Sequence, residues 1–146
     1  MSQQTVEETP ALTASQSSWR CVQARDKDGW LALMADDVLI EDPIGPSPTN
    51  PDGTGVRGKD AVASFFDSTI GITKRMKITC EETFPSGSPE EIAHILLLQF
   101  EFEGGLASSV RGIFTYRTND AGLLTSLRGY WNMDMMKFEN PKAEGD

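Results

Sequence analysis

The stretch that organises this sequence is Val38-Leu39-Ile40-Glu41-Asp42-Pro43-Ile44-Gly45. Three aliphatic residues run into two carboxylates, and proline and glycine then stop the chain, which is the pattern of a strand that ends in a turn. A carboxylate at the mouth of an apolar strand is costly to bury unless it has a partner or a use. Since side chains alternate along a strand, we expect Asp42 to face the interior and Glu41 to face solvent or an arginine.

Composition places the rest of the chain in one soluble globular class. The 146 residues suit a single domain, and the net charge of −9 argues against nucleic acid and against an anionic membrane surface. No apolar run approaches the roughly 20 residues of a membrane helix, so no membrane insertion is expected. Cys21 and Cys80 do not form a metal motif and are expected to be free thiols in a reducing, cytoplasmic compartment. His94 is the only histidine, which excludes a metal site built from several histidines.

The first half of the chain predicts three helices. Thr9 and Pro10 fit an N-cap and first helical position before a helix over 11–24. A short second helix is expected over 30–34, and a third begins at Lys59 and ends at Gly71. The Pro- and Gly-rich residues 46–58 predict a long loop after Asp42, which is about equally well interpreted as a rim of a pocket or as a passive surface excursion.

The second half changes to a period of two, which predicts four long strands over 76–81, 93–103, 110–117 and 123–133. Helices followed by strands indicate an α+β fold, in which a curved antiparallel sheet wraps around three helices and leaves an apolar cavity. Residues 10–137 are predicted to form one domain, with flexible tails at 1–9 and 138–146.

Three segments of this pattern resemble the ketosteroid isomerase family. They are residues 24–45, which contain the Glu-Asp-Pro-Ile-Gly motif, residues 58–66 and residues 126–131. The resemblance covers most of 12–133 and extends to the wider superfamily similar to nuclear transport factor 2 and SnoaL, whose members share a cystatin-like cone fold but differ in function. It implies a steroid delta-isomerase that acts on a 3-oxo steroid or similar polycyclic ketone, with no metal or cofactor. It also implies a homodimer that packs through the outer sheet face.

The resemblance assigns the general base to Asp42, which would move a proton between C4- and C6-type positions of the substrate. The family stabilises the resulting enolate with a tyrosine and a protonated aspartic acid, whose pKa is raised by its apolar surroundings so that it can donate a hydrogen bond. The tyrosine position falls here on Ser18, and the acid position falls on Gly112 or, with a shifted turn, on Ile113. Both usual oxyanion donors are therefore absent. Possible substitutes are Tyr116, Ser18 and Trp131.

The resemblance also implies the walls of a hydrophobic ligand pocket. The expected ligand-binding residues are Trp19, Phe65, Leu96, Leu98, Val110, Gly112, Phe114, Leu127 and Trp131.

Other interpretations remain open at this point. The absent oxyanion donors favour a steroid-binding protein with weak or no isomerase activity. A dimeric interaction module with an unused cavity is a third interpretation. Related polyketide cyclases use an aspartate and a histidine, which keeps His94 as a minor candidate. Epoxide hydrolases of the same fold need an acid on the last strand, where this chain has Gly129.

Overall fold

The computed structural model describes residues 8–48 and 50–139, which form three helices and a seven-stranded sheet. The helices are α1 (Pro10–Ala24), α2 (Lys27–Leu31) and α3 (Lys59–Ser68), and 3₁₀ turns follow at Ile70–Ile72 and Met133–Met135. The strands are β1 (Met34–Glu41), β2 (Val56–Arg57), β3 (Arg75–Pro85), β4 (Glu91–Glu101), β5 (Ala107–Thr118), β6 (Leu124–Tyr130) and β7 (Lys137–Glu139). This order confirms the α+β cone, in which a curved, open sheet packs against three helices.

Helix α1 begins where the sequence predicted. The Thr9 side chain accepts a hydrogen bond from the Leu12 amide at 3.2 Å, and Pro10 is the first helical residue. The helix ends at Arg25, whose left-handed φ of 59° turns the chain into α2. None of the helices within the described ranges is long and apolar enough to cross a bilayer.

The sheet is mixed rather than wholly antiparallel. The strand order is β2-β1-β6-β5-β4-β3, and β1 runs parallel to β6, with Ile40 beside Leu127. The other neighbouring strands are antiparallel. The expectation of an antiparallel sheet is wrong for this pair because a long connection that includes α3 and four strands joins β1 to β6. No hairpin therefore fixes their relative direction.

Several element boundaries differ from the prediction, and three of the differences concern the site or the end of the chain. The second helix ends at Leu31, and Met34 already pairs with Leu124 in the sheet. The loop after Asp42 contains β2, which pairs with Leu39 and Ile40. Residues 138 and 139 belong to β7 instead of a flexible tail, because β6 pairs with β5 only from Ile113 onward and leaves the edge at residues 107–109 for β7. The remaining predicted tail residues, 1–7 and 140–146, lie outside the described residues.

The alternating side chains of the long strands separate into a buried inner face and a charged outer face, as the period of two predicted. The inner face carries buried side chains of β4, β5 and β6, namely His94, Leu96, Leu98, Val110, Phe114, Tyr116 and Leu127. The outer face carries ion pairs, in which Arg111 meets Glu81, Arg117 meets Glu91 and Arg128 meets Glu41. A further exposed pair joins Arg75 to Glu101. Exposed pairs of this kind contribute little to stability.

Candidate active site

A cavity of about 350 Å³ lies between the inner face of the sheet and the helices, a volume typical of small-molecule sites. Most residues expected at the site line it: Ser18, Trp19, Asp42, Phe65, Leu96, Leu98, Phe114, Tyr116, Leu127 and Trp131. Val110 and Gly112 lie outside its walls. Val110 is buried in the packed core, and a Cβ at Gly112 would lie 2.8 Å from the Tyr130 carbonyl oxygen and 3.2 Å from the Trp131 Cβ.

Asp42 follows the last residue of β1 and is held by a residue just past the end of β6. The Trp131 Nε1 donates a hydrogen bond to the Asp42 Oδ1 at 2.7 Å. Burial raises the pKa of Asp42 to about 6, while the hydrogen bond from Trp131 opposes that rise. A carboxylate with a pKa just below neutral is mostly ionised at pH 7 and still basic enough to accept a proton from carbon. The second carboxylate oxygen, Oδ2, is left for that proton.

Because Gly129 has no side chain, Asp42 and Trp131 can occupy the space next to its Cα. A Cβ at Gly129 would lie 2.7 Å from the Asp42 Oδ1, 2.9 Å from a ring carbon of Phe114 and 3.0 Å from the Trp131 Nε1. This role of Gly129 was not predicted from the sequence, where the residue was noted only because it stands at the position of the acid that epoxide hydrolases need. The available signal was a glycine at an inward-facing position of a strand, between Leu127 and Trp131, which marks a close approach.

Tyr116 supplies a neutral phenol to the same cavity. Its hydroxyl oxygen accepts a hydrogen bond from the Trp19 Nε1 at 2.9 Å. Burial raises the pKa of Tyr116 far above its usual value, and the negative charge of Asp42 raises it further. The hydroxyl therefore stays protonated. Within the described ranges no protein group accepts that proton, so it is available to a ligand oxygen.

Ser18 has a similar arrangement on α1. The Ser18 Oγ accepts a hydrogen bond from the Trp30 Nε1 at 2.9 Å, and the residue is buried against the cavity. Its hydroxyl proton can also donate to a ligand. Trp131 cannot act as a third oxyanion donor in this state, because an indole has one N–H and Asp42 accepts it.

His94 packs behind the cavity rather than facing it. Its ring lies edge-on to Trp19 at 4.7 Å between centroids, and its Nδ1 is 2.9 Å from the Thr83 Oγ1. Burial lowers the pKa of His94 to about 4, so the ring is neutral at physiological pH. The structure therefore places His94 against Trp19 and Tyr116 and outside the described cavity walls, which argues against the role of a cyclase-type histidine.

The loop after Asp42 contributes to the walls through Pro43, Ser47 and Pro48. The first of the two interpretations of that loop, a rim of the pocket, is therefore correct for its beginning. Across residues 8–48 and 50–139, no group of three or more His, Cys, Asp and Glu side chains is placed to hold a metal ion.

Comparisons with known proteins identify close relatives of this architecture. A family model described as a SnoaL-like domain matches residues 16–127. The crystal structure of Rv0760c from Mycobacterium tuberculosis is 67% identical, with a TM-score of 0.88 over 92% of this chain and 100% of that chain. The same protein in complex with estradiol-17beta-hemisuccinate is 69% identical, with a TM-score of 0.85 over 88% of this chain and 98% of that chain. A Delta 5-3-ketosteroid isomerase from Mycobacterium sp. is 62% identical, with a TM-score of 0.87 over 90% of this chain and 99% of that chain.

Proposed function

Because the chain belongs to the SnoaL-like domain family, we propose that it binds a 3-oxo steroid or a similar flat polycyclic ketone and isomerises its double bond into conjugation. The observation that carries this proposal is the pair of Asp42 and Trp131 at the wall of an apolar cavity, with a neutral Tyr116 phenol at the same cavity. The relatives support it, since one is a Delta 5-3-ketosteroid isomerase and another binds an estradiol derivative.

In this mechanism Asp42 acts first as a base and then as an acid. The carboxylate takes a proton from the carbon between the ketone and the alkene, so that a C–H bond breaks and an O–H bond forms on Oδ2. The electron pair moves through the ketone to give a dienolate. Asp42 then returns the proton to the far end of the dienolate, which leaves the conjugated enone and the original carboxylate.

The dienolate oxygen needs donors, and the cavity offers the hydroxyls of Tyr116 and Ser18. Each hydroxyl oxygen already accepts a bond from an indole, of Trp19 and of Trp30 respectively, and each keeps its own proton. The accepted bond polarises the hydroxyl and fixes its position, which strengthens it as a donor. These two groups replace the tyrosine and the aspartic acid that the family resemblance assigned to Ser18 and Gly112.

The direct test follows conversion of a Δ5-3-ketosteroid to its Δ4 isomer by the ultraviolet absorbance of the conjugated enone. Wild type should exceed the buffer rate, and Asp42→Asn should abolish the excess. Asp120→Asn is the matched control, because it makes the same change in the exposed turn between β5 and β6. A wild-type rate equal to the buffer rate would overturn the isomerase proposal.

A second candidate function is steroid binding without turnover. The observation that favours it is the absence of the family's donors at Ser18 and Gly112, together with the estradiol complex of Rv0760c. Titration with a fluorescent steroid separates the two candidates, since binding with no isomerisation supports this one. Absence of binding to both steroids and polycyclic phenols would contradict both.

We also infer a homodimer that packs through the outer sheet face and a cytoplasmic location. Ile113 and Tyr130 are cross-strand neighbours on that face, with 46% and 49% of their surfaces exposed. Cys21 and Cys80 are free thiols, as a reducing compartment would keep them. Light scattering of the purified protein tests the dimer, and a monomer at micromolar concentration would contradict it. Thiol trapping in fractionated cells tests the location.

A further inference from the structure

The cavity that Asp42 faces has an exposed apolar rim, formed by Ile72, Met133 and Phe138. All three line the same cavity as Asp42. Their exposed fractions are 60%, 41% and 58%, whereas the cavity walls nearer Asp42, such as Phe114 and Leu127, are buried. The rim is thus one place where the apolar lining reaches solvent, and Pro48 in the loop after Asp42 is another.

The strand pairing gives the separation between Asp42 and Phe138 of the rim. Asp42 lies against Gly129, which pairs with Phe114 of β5, whereas Phe138 pairs with Ser108 of the same strand. Six residues of antiparallel strand span about 20 Å. A four-ring nucleus whose ketone lies beside Asp42 is considerably shorter than this span. Its far end would therefore leave the rim uncovered.

The lining along this path is mostly apolar, with the uncharged hydroxyl residues Thr73 and Ser108 near the rim. Met76, Ile78, Leu98, Phe100 and Phe102 line the cavity between the two ends. Among the described wall residues, Asp42 is the only charged side chain, and no lysine or arginine is present to hold an acidic group. The extension that this surface favours is consequently a saturated alkyl chain.

An alkyl chain bound at the exposed rim would be stabilised by the removal of apolar surface from water. Large apolar side chains clustered at one place on a surface mark a binding site more often than scattered ones do. Methionine adapts its shape to irregular partners, which suits a flexible alkyl chain. Each methylene removed from water raises affinity by roughly fourfold.

We propose that Ile72, Met133 and Phe138 form a subsite for an alkyl side chain at the end of the steroid opposite its ketone. Sterol-derived ketones that carry a long alkyl tail are then preferred to tail-less steroid ketones. This inference rests on the proposed function, because it takes the ketone to lie beside Asp42.

The experiment compares two ligands that share one enone ring and differ in the tail, androst-4-ene-3,17-dione and cholest-4-en-3-one. Dissociation constants are measured by equilibrium dialysis of labelled ligand from the same cyclodextrin carrier. The carrier affects all protein variants equally, so the readout is the change in the ratio of the two constants between variants. Wild type is expected to bind the long-tailed ligand at least tenfold more tightly.

The variant Met133→Ser with Phe138→Ser is expected to reduce that ratio at least fivefold. Phe84→Ser is the matched control, because Phe84 is 46% exposed and lies outside the cavity. It should leave the ratio unchanged. Thermal unfolding of each variant verifies that all are folded.

The outcomes separate this inference from the proposed function. If neither ligand binds wild type, the proposed function fails, and the inference fails with it. If the tail-less ligand binds but the ratio is unaffected by the rim variants, only the inference is overturned. A change from dimer to monomer in the double variant, with the ratio unchanged, would overturn it as well and would identify the rim as a protein contact.

Discussion

Trp19 and Tyr116, which are 97 residues apart in the chain, are joined by one hydrogen bond of 2.9 Å in which the indole donates and the phenol accepts. The direction of this bond follows from chemistry, since an indole nitrogen can only donate. Helix α1 therefore holds the oxygen of Tyr116 without using its proton. The same relationship recurs between Trp30 and Ser18, so two tryptophans each present a hydroxyl to the cavity.

Tyr116→Phe tests the role of that hydroxyl. Removal of one oxyanion donor costs about 10²–10³ in turnover, so we expect kcat to fall by that factor with KM changed far less. Trp19→Phe is the comparison, because it removes the supporting bond and keeps the hydroxyl. It should lower kcat by less than tenfold. A Tyr116→Phe variant with wild-type kcat would show that the enolate is held by another group.

The pH dependence of the reaction should report Asp42. Since its pKa is raised to about 6 by burial, kcat/KM should rise with pH up to about 6 and then level off, because the ionised form is the base. Trp131→Phe removes a hydrogen bond that favours the ionised form, so the midpoint should move upward. Rates measured from about pH 4 to pH 8 give both midpoints. A wild-type midpoint near the ordinary aspartate value of about 4 would contradict the burial of this carboxylate.

Asp42 should also lower the free energy of unfolding of the protein at pH values above the pKa of this carboxyl group. Its folded pKa of about 6 exceeds the value of 3.8 for an unperturbed aspartic acid. The unfolded chain therefore releases this proton first, and stability contributed by the protonated form is lost as pH rises through the folded pKa. Asp42→Asn should raise the free energy of unfolding at pH 7 by up to about 3 kcal/mol. The gain should shrink to nothing below about pH 4, as measured by denaturant titration at several pH values.

A variant that is no more stable at pH 7 than wild type, or whose gain persists in acid, would contradict this account. The expected combination of greater stability and lost turnover is a familiar trade-off at active sites.

Gly129→Ala should damage the site without a change in any polar group. The added methyl group would meet the Asp42 Oδ1, Phe114 and the Trp131 Nε1 at 3.0 Å or less. We expect at least a tenfold fall in kcat and a changed tryptophan fluorescence spectrum as Trp131 moves. Gly87→Ala is the control, since nothing lies within 4 Å of a Cβ there. Wild-type turnover in Gly129→Ala would show that the Asp42–Trp131 contact is dispensable.

The sequence was informative wherever alternation and local chemistry decide the structure. The parity of the strand before Pro43 correctly separates Glu41, which pairs with Arg128, from Asp42, which faces the cavity. Thr9 and Pro10 correctly mark the start of α1, because a helix cap depends only on neighbouring residues.

The errors arise where the outcome depends on distant parts of the chain. Val110 and Gly112 have the inward parity that was predicted, but parity gives the face of a sheet and does not tell whether packed core or open cavity lies above it. The indole of Trp131 was interpreted as a possible oxyanion donor. Its bond to Asp42 depends on a strand pairing between residues 89 positions apart, which no local pattern reports.

The parallel pairing of β1 with β6 has a consequence for how this protein can be re-engineered. Parallel neighbours end at the same edge of a sheet, so Asp42 and Trp131 meet because two backbones run side by side, with Glu41 beside Arg128. The loop that follows Asp42 is attached to this edge at two places, at Asn50, whose backbone exchanges hydrogen bonds with Ser47, and at Gly55, where a Cβ would lie 2.7 Å from the Leu39 side chain. The exposed residues between these two places, Pro51, Asp52 and Thr54, are consequently the part of the loop that can be exchanged to alter recognition, while the proton-transfer pair stays registered by the sheet.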